Sequence, residues 1–171
     1  MGARVHHSAI RVHDLDASLR FYGYGIGLDV LMDREFEGDW PTLFGVPSTR
    51  LRSVFLGDRR HPDAGVVELV AFIGAAAAVA GAPPAGLGPP SASAGADQRG
   101  SAAGFFLLSF FVDVDEVLGR LEALGHGGAR RIEQPGPSGP VPMATVTDPD
   151  GVRIELIEAA GPAPGHTPAT R

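Results

Sequence analysis

Three residues of this chain have side chains suited to binding a cation, although they lie far apart in the sequence. His7 stands near the start of an alternating segment, whereas Glu68 and Glu155 each interrupt an apolar run, Val-Val-Glu-Leu-Val and Arg-Ile-Glu-Leu-Ile. A carboxylate among Val, Ile and Leu side chains is costly to leave unpaired, so each glutamate favours a nearby positive charge. A shared cation is one such partner, and only the fold could bring the three residues together.

The first of these residues lies in a segment whose alternation predicts a strand over residues 4–12. Successive side chains of a strand point to opposite faces, so His7 lies on one face and Ile10 and Val12 lie on the other. If Ile10 and Val12 pack beneath a helix, His7 faces the hollow of the sheet.

The predicted elements follow the same order twice along the chain. In the first half, Asp14 is typical of a helix cap, and the elements are strand 4–12, helix 15–26 and strands 28–33, 50–57 and 65–73. Residues 35–48 are expected to form a loop or short helix, and residues 58–64 a turn. The second half is predicted to contain strand 105–112, helix 114–125 and strands 128–133, 141–147 and 152–158, with a Gly/Pro-rich loop over 134–140.

This order, together with Val-Glu-Leu-Val (67–70) and Asp-Pro-Asp-Gly-Val-Arg-Ile-Glu-Leu (148–156), resembles the vicinal oxygen chelate superfamily. That family includes glyoxalase I, methylmalonyl-CoA epimerase, ring-cleaving dioxygenases and bleomycin-resistance proteins. The spacing in the first half is closer to the glyoxalase-like and epimerase-like branch. The resemblance covers residues 3–73 and 105–159.

The resemblance implies an α+β fold in which two tandem βαβββ modules form a curved mixed sheet around a cavity. Residues 1–171 then form a single domain built by duplication, with a first module over 3–73, a Gly/Ala/Pro-rich linker over 74–104, a second module over 105–159 and a disordered tail over 160–171. Members of the family often form dimers, and some build each site from two chains. A homodimer is therefore expected.

The resemblance also implies a ligand set, because the first strand of each module supplies a His or similar ligand and the last strand supplies a Glu. Carried over to this chain, the metal ligands are His7, Glu68 and Glu155. The fourth position falls on Leu107, since Leu-Leu-Ser-Phe aligns with His-Ser-Ala-Ile, and a leucine cannot bind a metal.

This departure at the fourth position has two interpretations. One nitrogen and two oxygen donors leave room for water and a chelating substrate, and they suit divalent Fe, Mn, Ni, Zn or Co. Alternatively, the site has decayed, and Arg11, Arg153 or water holds the acids in a cavity that binds a ligand without metal.

The chemistry that such a metal site supports is proton transfer next to a carbonyl. A divalent cation reached by two vicinal oxygens stabilises an enolate-like oxyanion, and the base is Glu68, Glu155 or water on the metal. The predicted function is an isomerase, epimerase or lyase acting on a small oxygenated molecule such as a secondary metabolite or acyl thioester. The alternatives are a metal-free drug-binding resistance protein and an Fe(II) ring-cleaving or ring-rearranging dioxygenase.

Aromatic and cationic side chains of the predicted strands and loops are candidates for contacting the substrate. An apolar pocket with one cation for an anionic group is typical of small-molecule sites. The candidates are Trp40, Phe44, Arg52, Phe55, Phe72 and Phe111.

Composition excludes several other classes of function. The formal net charge of −6 gives no basic stripe for nucleic acid. The chain has no Cys, which excludes disulfides, thiolate ligands and a cysteine nucleophile. The longest apolar run, 66–82, is interrupted by Glu68 and does not predict a membrane span. With no signal-peptide pattern at the N-terminus, a cytoplasmic bacterial protein is expected.

Overall fold

The computed structural model describes residues 5–61, 65–74, 105–137 and 139–159. The first module comprises β1 (Ser8–Arg11), helix α1 (Leu15–Leu19) continued by a π-helix over Arg20–Ile26, β2 (Asp29–Glu37), α2 (Trp40–Phe44), β3 (Arg50–Gly57) and β4 (Val67–Ile73). The second comprises β5 (Leu108–Val112), α3 (Val114–Ala123), β6 (Arg130–Gly136), β7 (Gly139–Thr147) and β8 (Arg153–Glu158). The predicted linker, apart from Gly74, and the predicted tail lie outside the described residues.

Each module folds into a four-stranded mixed sheet with the same strand order. The first sheet is ordered β1-β4-β3-β2 and the second β5-β8-β7-β6. In each, the first strand runs parallel to the last, and the other neighbours are antiparallel. The expected α+β fold with tandem βαβββ modules is confirmed, as two four-stranded sheets rather than one continuous sheet.

Aspartates fix the starts of the helices. Asp14 accepts a hydrogen bond from the backbone N–H of Ala17 at 2.9 Å, and Asp113 accepts one from Glu116 at 2.9 Å. Such N-caps satisfy donors that the first turn of a helix leaves unpaired. The predicted helix 15–26 has the observed bounds, although its second half is π-helical.

The hydrophobic core lies between the helices and one face of both sheets. Ile10 and Val12 of the first module are buried there, as the alternation of the first strand predicts. The helices of the two modules contact each other at Gly25, where an added Cβ would lie 2.4 Å from Cδ2 of Leu121. A side chain at this position would push the modules apart, so the close contact depends on a glycine.

A turn of the second module is hydrogen-bonded to the first. The hydroxyl of buried Tyr22 donates to Oδ2 of Asp148 at 2.7 Å, and Asp148 is only 4% exposed. Burial, followed by this hydrogen bond, raises the pKa of Tyr22 well above its ordinary value of 10.0. Asp150, in the same turn, accepts hydrogen bonds from His13 at 2.7 Å and from Ser18 at 3.1 Å.

The structure corrects two predicted loops. The strand predicted over 28–33 extends as β2 to Glu37 and so includes the start of the predicted loop 35–48, in which α2 is the short helix. Residues 134–136 belong to β6 and residues 139–140 to β7, although Pro135 and Pro140 suggested a loop over 134–140. β6 is the edge strand of its sheet, and an edge strand tolerates proline because one side has no ladder to complete. Within the described ranges, no helix is both long and apolar enough to cross a bilayer.

Candidate functional site

The concave face of the first sheet encloses a cavity of about 620 Å³. Most of its lining is apolar and comes from β1 to β4 and α2. The lining also contains His7, Arg11, Ser53 and Glu68, and the indole Nε1 of Trp40, another lining residue, is buried without a hydrogen-bond partner among the described residues. A cavity of this size with few polar groups is typical of small-molecule sites.

His7 and Glu68 meet in this cavity. Nε2 of His7 lies 2.9 Å from Oε2 of Glu68, and their side chains are 32% and 14% exposed. Parallel pairing of β1 with β4 sets Ala9 beside Glu68. His7, two residues before Ala9 and immediately before β1, reaches the same carboxylate. The Phe55 ring, directly across from Glu68 on β3, lies 5.2 Å from the His7 ring.

Neighbouring side chains hold both members of this pair. The Ser53 hydroxyl donates to Oε1 of Glu68 at 2.5 Å, which leaves Oε2 for His7. The Nδ1 atoms of His6 and His7 are 2.7 Å apart, so His6 shares a hydrogen bond with the ring nitrogen that faces away from Glu68. Partners of this kind orient ligand side chains in metal sites.

The pair has the spacing of a hydrogen bond between an imidazole and a carboxylate, with Nε2 and Oε2 2.9 Å apart. The same spacing suits two adjacent ligands of one ion, because two donors about 2.1 Å from an ion and at right angles lie about 3 Å apart. Within the described residues, no third His, Cys, Asp or Glu joins them. Among the residues that the structure describes, one chain therefore brings together two of the three predicted ligands.

Glu155 lies on the concave face of the second sheet and is not brought to His7 and Glu68 within one chain. It is paired in register with Ser109, whose hydroxyl donates to its Oε2. Leu107 precedes Ser109 by two residues, as His7 precedes Ala9 on the first sheet, so the leucine occupies the histidine's position.

Arg11 and Arg153 were alternative partners for Glu68 and Glu155. Among the described residues, both guanidinium groups lie over phenylalanine rings instead. The Arg11 guanidinium lies 5.6 Å from the centre of the Phe72 ring, and that of Arg153 lies 4.5 Å from the centre of the Phe106 ring. Serine hydroxyls contact both glutamates instead.

Four of the six predicted substrate contacts line the cavity, namely Trp40, Phe44, Phe55 and Phe72. Arg52 does not, because residues 52 and 55 of one strand point to opposite faces. Its guanidinium instead donates two hydrogen bonds to Asp33, at 2.8 and 2.7 Å. These hydrogen bonds lower the pKa of Asp33 and raise that of Arg52.

Phe111 also lies away from the cavity, because it belongs to β5 of the second sheet, where it is 77% exposed. The prediction had omitted other residues that line the cavity, among them Arg11, Ser53 and Phe36. Alternation could have identified Ser53, since it is two residues from Phe55 and shares its face.

The sequence matches the model of the Glyoxalase/Bleomycin resistance protein/Dioxygenase superfamily over residues 4–156, and the chain belongs to that superfamily. This confirms the resemblance drawn from the motifs. The lactoylglutathione lyase-like protein terB of Aspergillus terreus is 35% identical over 160 residues, which cover 90% of this chain and 74% of that protein.

Two further relatives extend the comparison. A probable lactoylglutathione lyase of Synechocystis is 26% identical over 156 residues, covering 90% of this chain and 94% of that protein. The crystal structure of a glyoxalase family protein from Bacillus cereus superposes with a TM-score of 0.61 at 24% identity, covering 94% of this chain and 97% of that one. The structural match supports the fold, and the names of the sequence relatives are those of lyases.

Proposed function

We propose that this chain is a divalent-metal-dependent enzyme of lyase or isomerase type that moves a proton at a carbon next to a carbonyl of a small oxygenated substrate. One observation carries the proposal: Nε2 of His7 and Oε2 of Glu68 lie 2.9 Å apart in an apolar cavity. The names of the relatives, lactoylglutathione lyases, belong to the same reaction class. His7, Glu68 and Glu155 are the proposed ligands, and the metal is divalent Fe, Mn, Ni, Zn or Co.

The third ligand, Glu155, would come from a second copy of the chain. The second sheet leaves apolar side chains in contact with solvent, including Phe111 at 77% exposed and Ile132 at 55% exposed. A two-fold dimer with the first sheet of each copy facing the second sheet of the other would cover such side chains. It would also form two equal sites, each with His7 and Glu68 from one copy and Glu155 from the other.

When bound, a divalent ion supplies a Lewis acid that polarises two adjacent substrate oxygens and acidifies the neighbouring C–H. Glu68 is the proposed base when its Oε2 is transiently released as a ligand, since Ser53 would continue to hold Oε1 while Oε2 is on the cavity side, next to His7. The same carboxylate can return the proton to the adjacent carbon, which completes an isomerisation. The apolar lining excludes water and so strengthens these polar interactions.

Metal analysis of the purified full chain tests the ligand assignment. Mass spectrometry should find about one ion of Fe, Mn, Ni, Zn or Co per site in wild type and none in His7→Ala. His61→Ala is the matched control, because His61 is exposed and pairs with Asp58. Absence of metal from wild type would contradict the proposal.

Proton transfer has its own test. The hemithioacetal of glutathione and phenylglyoxal, incubated with the enzyme in deuterium oxide, should give a thioester with deuterium at the carbon beside the carbonyl. Glu68→Gln should abolish thioester formation, measured by absorbance and NMR. Oxygen consumption with a catechol would instead favour the dioxygenase alternative.

A second candidate function is a metal-free protein that sequesters an apolar drug. Leu107 favours it, because a leucine occupies the position that matches His7 in the second sheet. In that case wild type would contain no metal and would bind a ligand without turnover.

A further inference from the structure

A second cavity, of about 330 Å³, lies at one end of the second sheet. Its described lining contains no Asp or Glu, although the whole chain has a formal net charge of −6. A concentration of positive charge in an acidic chain favours an anionic ligand. The polar side chains of this basic pocket are those of His126, Arg130, Thr145, Thr147 and Arg153.

Strand register places four of these side chains on the concave face that carries Glu155. Arg130 on β6 pairs with Thr145 on β7, and Thr145 pairs with Glu155 on β8. Two residues further along β7, Thr147 pairs with Arg153. Cross-strand partners share a face of the sheet, so the two arginines and the two threonines all point to the concave side.

The two threonines separate the two arginines. Because β7 lies between β6 and β8, the Cα atoms of Arg130 and Arg153 are about 10 Å apart across the strands and about 7 Å apart along them. Threonine side chains are short, which leaves a gap above β7. Both guanidinium groups can reach this gap, because each stands on a long and flexible stem.

Two side chains of the basic pocket are held by aromatic contacts that leave their polar groups accessible. The guanidinium of Arg153 lies 4.5 Å from the centre of the Phe106 ring. A guanidinium stacked on a ring keeps the N–H groups in its plane for a ligand. The His126 ring contacts Phe21 edge-on at 5.1 Å, which limits the orientation of the imidazole.

The surroundings of the basic pocket also favour an anion. The carboxylate of Glu155 accepts a hydrogen bond from Ser109 on β5, the neighbour of β8 on the side away from β7. At the other side of the pocket, an added Cβ at Gly127 or Gly128 would have no atom within 4 Å, so the backbone there is open to a ligand. Neither glycine N–H donates to a described backbone carbonyl.

We propose that the basic pocket binds a phosphate group. Guanidinium groups on two sides and hydroxyls beneath suit a tetrahedral oxyanion, whose oxygens point in different directions. A planar carboxylate is satisfied by a single guanidinium and would leave the other donors unused. The pocket is formed by the second module alone among the described residues, so the proposal does not depend on the proposed metal function.

Calorimetry on the full chain, treated with a chelator to remove metal, tests the proposal. Inorganic phosphate at about pH 8 should bind with a dissociation constant of about 1 mM or below. Malonate carries a similar charge on two planar carboxylates and should bind about tenfold more weakly. Tighter binding of glycerol 3-phosphate than of inorganic phosphate would identify the ligand as a phosphate ester, and weaker binding would identify it as the free anion.

Arg130→Gln and Arg153→Gln should each weaken phosphate binding about tenfold, because each removes a charge-assisted hydrogen bond. Arg131→Gln is the matched control, since Arg131 is the next residue of β6, points to the opposite face and pairs with Asp115. Its affinity should stay within about twofold of wild type. Thr147→Val should weaken binding about threefold. Circular dichroism checks that each variant is folded.

Several outcomes would overturn the proposal. These are the absence of phosphate binding up to about 20 mM, an unchanged affinity in both folded glutamine variants at 130 and 153, and equal binding of malonate and phosphate. Phosphate binding that requires metal would place the anion on the ion and overturn the proposal, while leaving the proposed function intact. Phosphate binding to a chain that contains no metal as purified would support the basic pocket and contradict the metal function.

Discussion

The concave faces of the two sheets carry the same carboxylate and differ in its neighbours. On the first sheet, Glu68 lies between His7 and Ser53. On the second, Glu155 is bonded to Ser109, and Leu107 occupies the histidine's position. The two sheets have the same strand register, so His7 and Leu107 occupy equivalent positions. The residue type at that position decides whether it can bind a metal.

The surroundings of the two carboxylates differ as well. Glu68 lies in a cavity lined by Trp40, Phe44, Phe55 and Phe72, whereas Glu155 lies on a sheet that leaves Phe111 and Ile132 exposed.

Removing either carboxylate is expected to have the largest effect. Glu68→Ala and Glu155→Ala should each lower turnover by about 100-fold or more, because each removes a proposed metal ligand. If two chains share the site, mixing His7→Ala with Glu155→Ala should restore about a quarter of wild-type activity, since half of the dimers would contain one intact site out of two.

The same mixture of variants shows whether the site is shared between two chains. No recovery in dimers shown to have exchanged subunits would mean that the two sheets do not share a site across chains. A mixture of His7→Ala with Glu68→Ala is the control, because those two residues belong to the same sheet and the mixture is expected to regain only metal-free background activity.

Supplying the missing nitrogen donor should make the two faces more alike. Leu107→His is expected to raise the metal affinity of the chain about tenfold, as measured by competition with a chromogenic chelator. Leu107→Gln tests whether an oxygen donor suffices. An unchanged affinity in a folded Leu107→His variant would indicate that the second sheet lies away from the metal.

The two serines offer a smaller, paired comparison. Ser53→Ala removes the hydrogen bond to Glu68 and should weaken metal binding about tenfold, the low end for loss of a hydrogen bond to a ligand. Ser109→Ala makes the matching change at Glu155. A weaker effect of Ser109→Ala would show that Glu68 is the better-ordered ligand, and the absence of any effect at Ser53 would argue against Glu68 as a ligand.

The hydrogen bond that joins the modules should affect stability more than chemistry. Tyr22→Phe leaves the buried Asp148 without its hydroxyl partner and should cost about 1–3 kcal/mol of unfolding free energy. Denaturation with urea measures this cost. Tyr24→Phe is the control, because Tyr24 is 62% exposed.

The same pair gives a pH prediction. The pKa of Tyr22 is raised on folding, so its contribution to stability is present below pH 10 and is lost as the pH rises further. Wild type should lose stability more steeply above pH 10 than Tyr22→Phe. Parallel pH profiles of the two proteins would contradict the assignment.

The bounds of strands and helices could be predicted where the local sequence signals agreed with one another. The bounds of β3 are those predicted, and Asp14 marks the start of the first helix. The strand residues 134–136 and 139–140 were not predictable, since Pro135 and Pro140 are loop signals whose tolerance depends on an edge position that only the sheet order reveals.

The pairing of His7 with Glu68 was within reach of the sequence, because strand alternation and family motifs both lead to one concave face. The separation of Glu155 was not, since it depends on how two modules pack through their helices. Arg52 was predicted to contact the substrate together with Phe55, although residues three apart on a strand point to opposite faces, and the structure pairs Arg52 with Asp33 away from the cavity.

The close contact of Gly25 with Leu121 limits how this duplicated chain can evolve. Neither module can be replaced by a duplicate of the other without loss of this contact, because it joins Gly25 of the first module to Leu121 of the second. If the gene were split between the modules, the two polypeptides would have to associate before the side chains of Phe21 and Tyr22 could be buried. The two halves of the repeat therefore have to be kept together as one unit along the line where they meet.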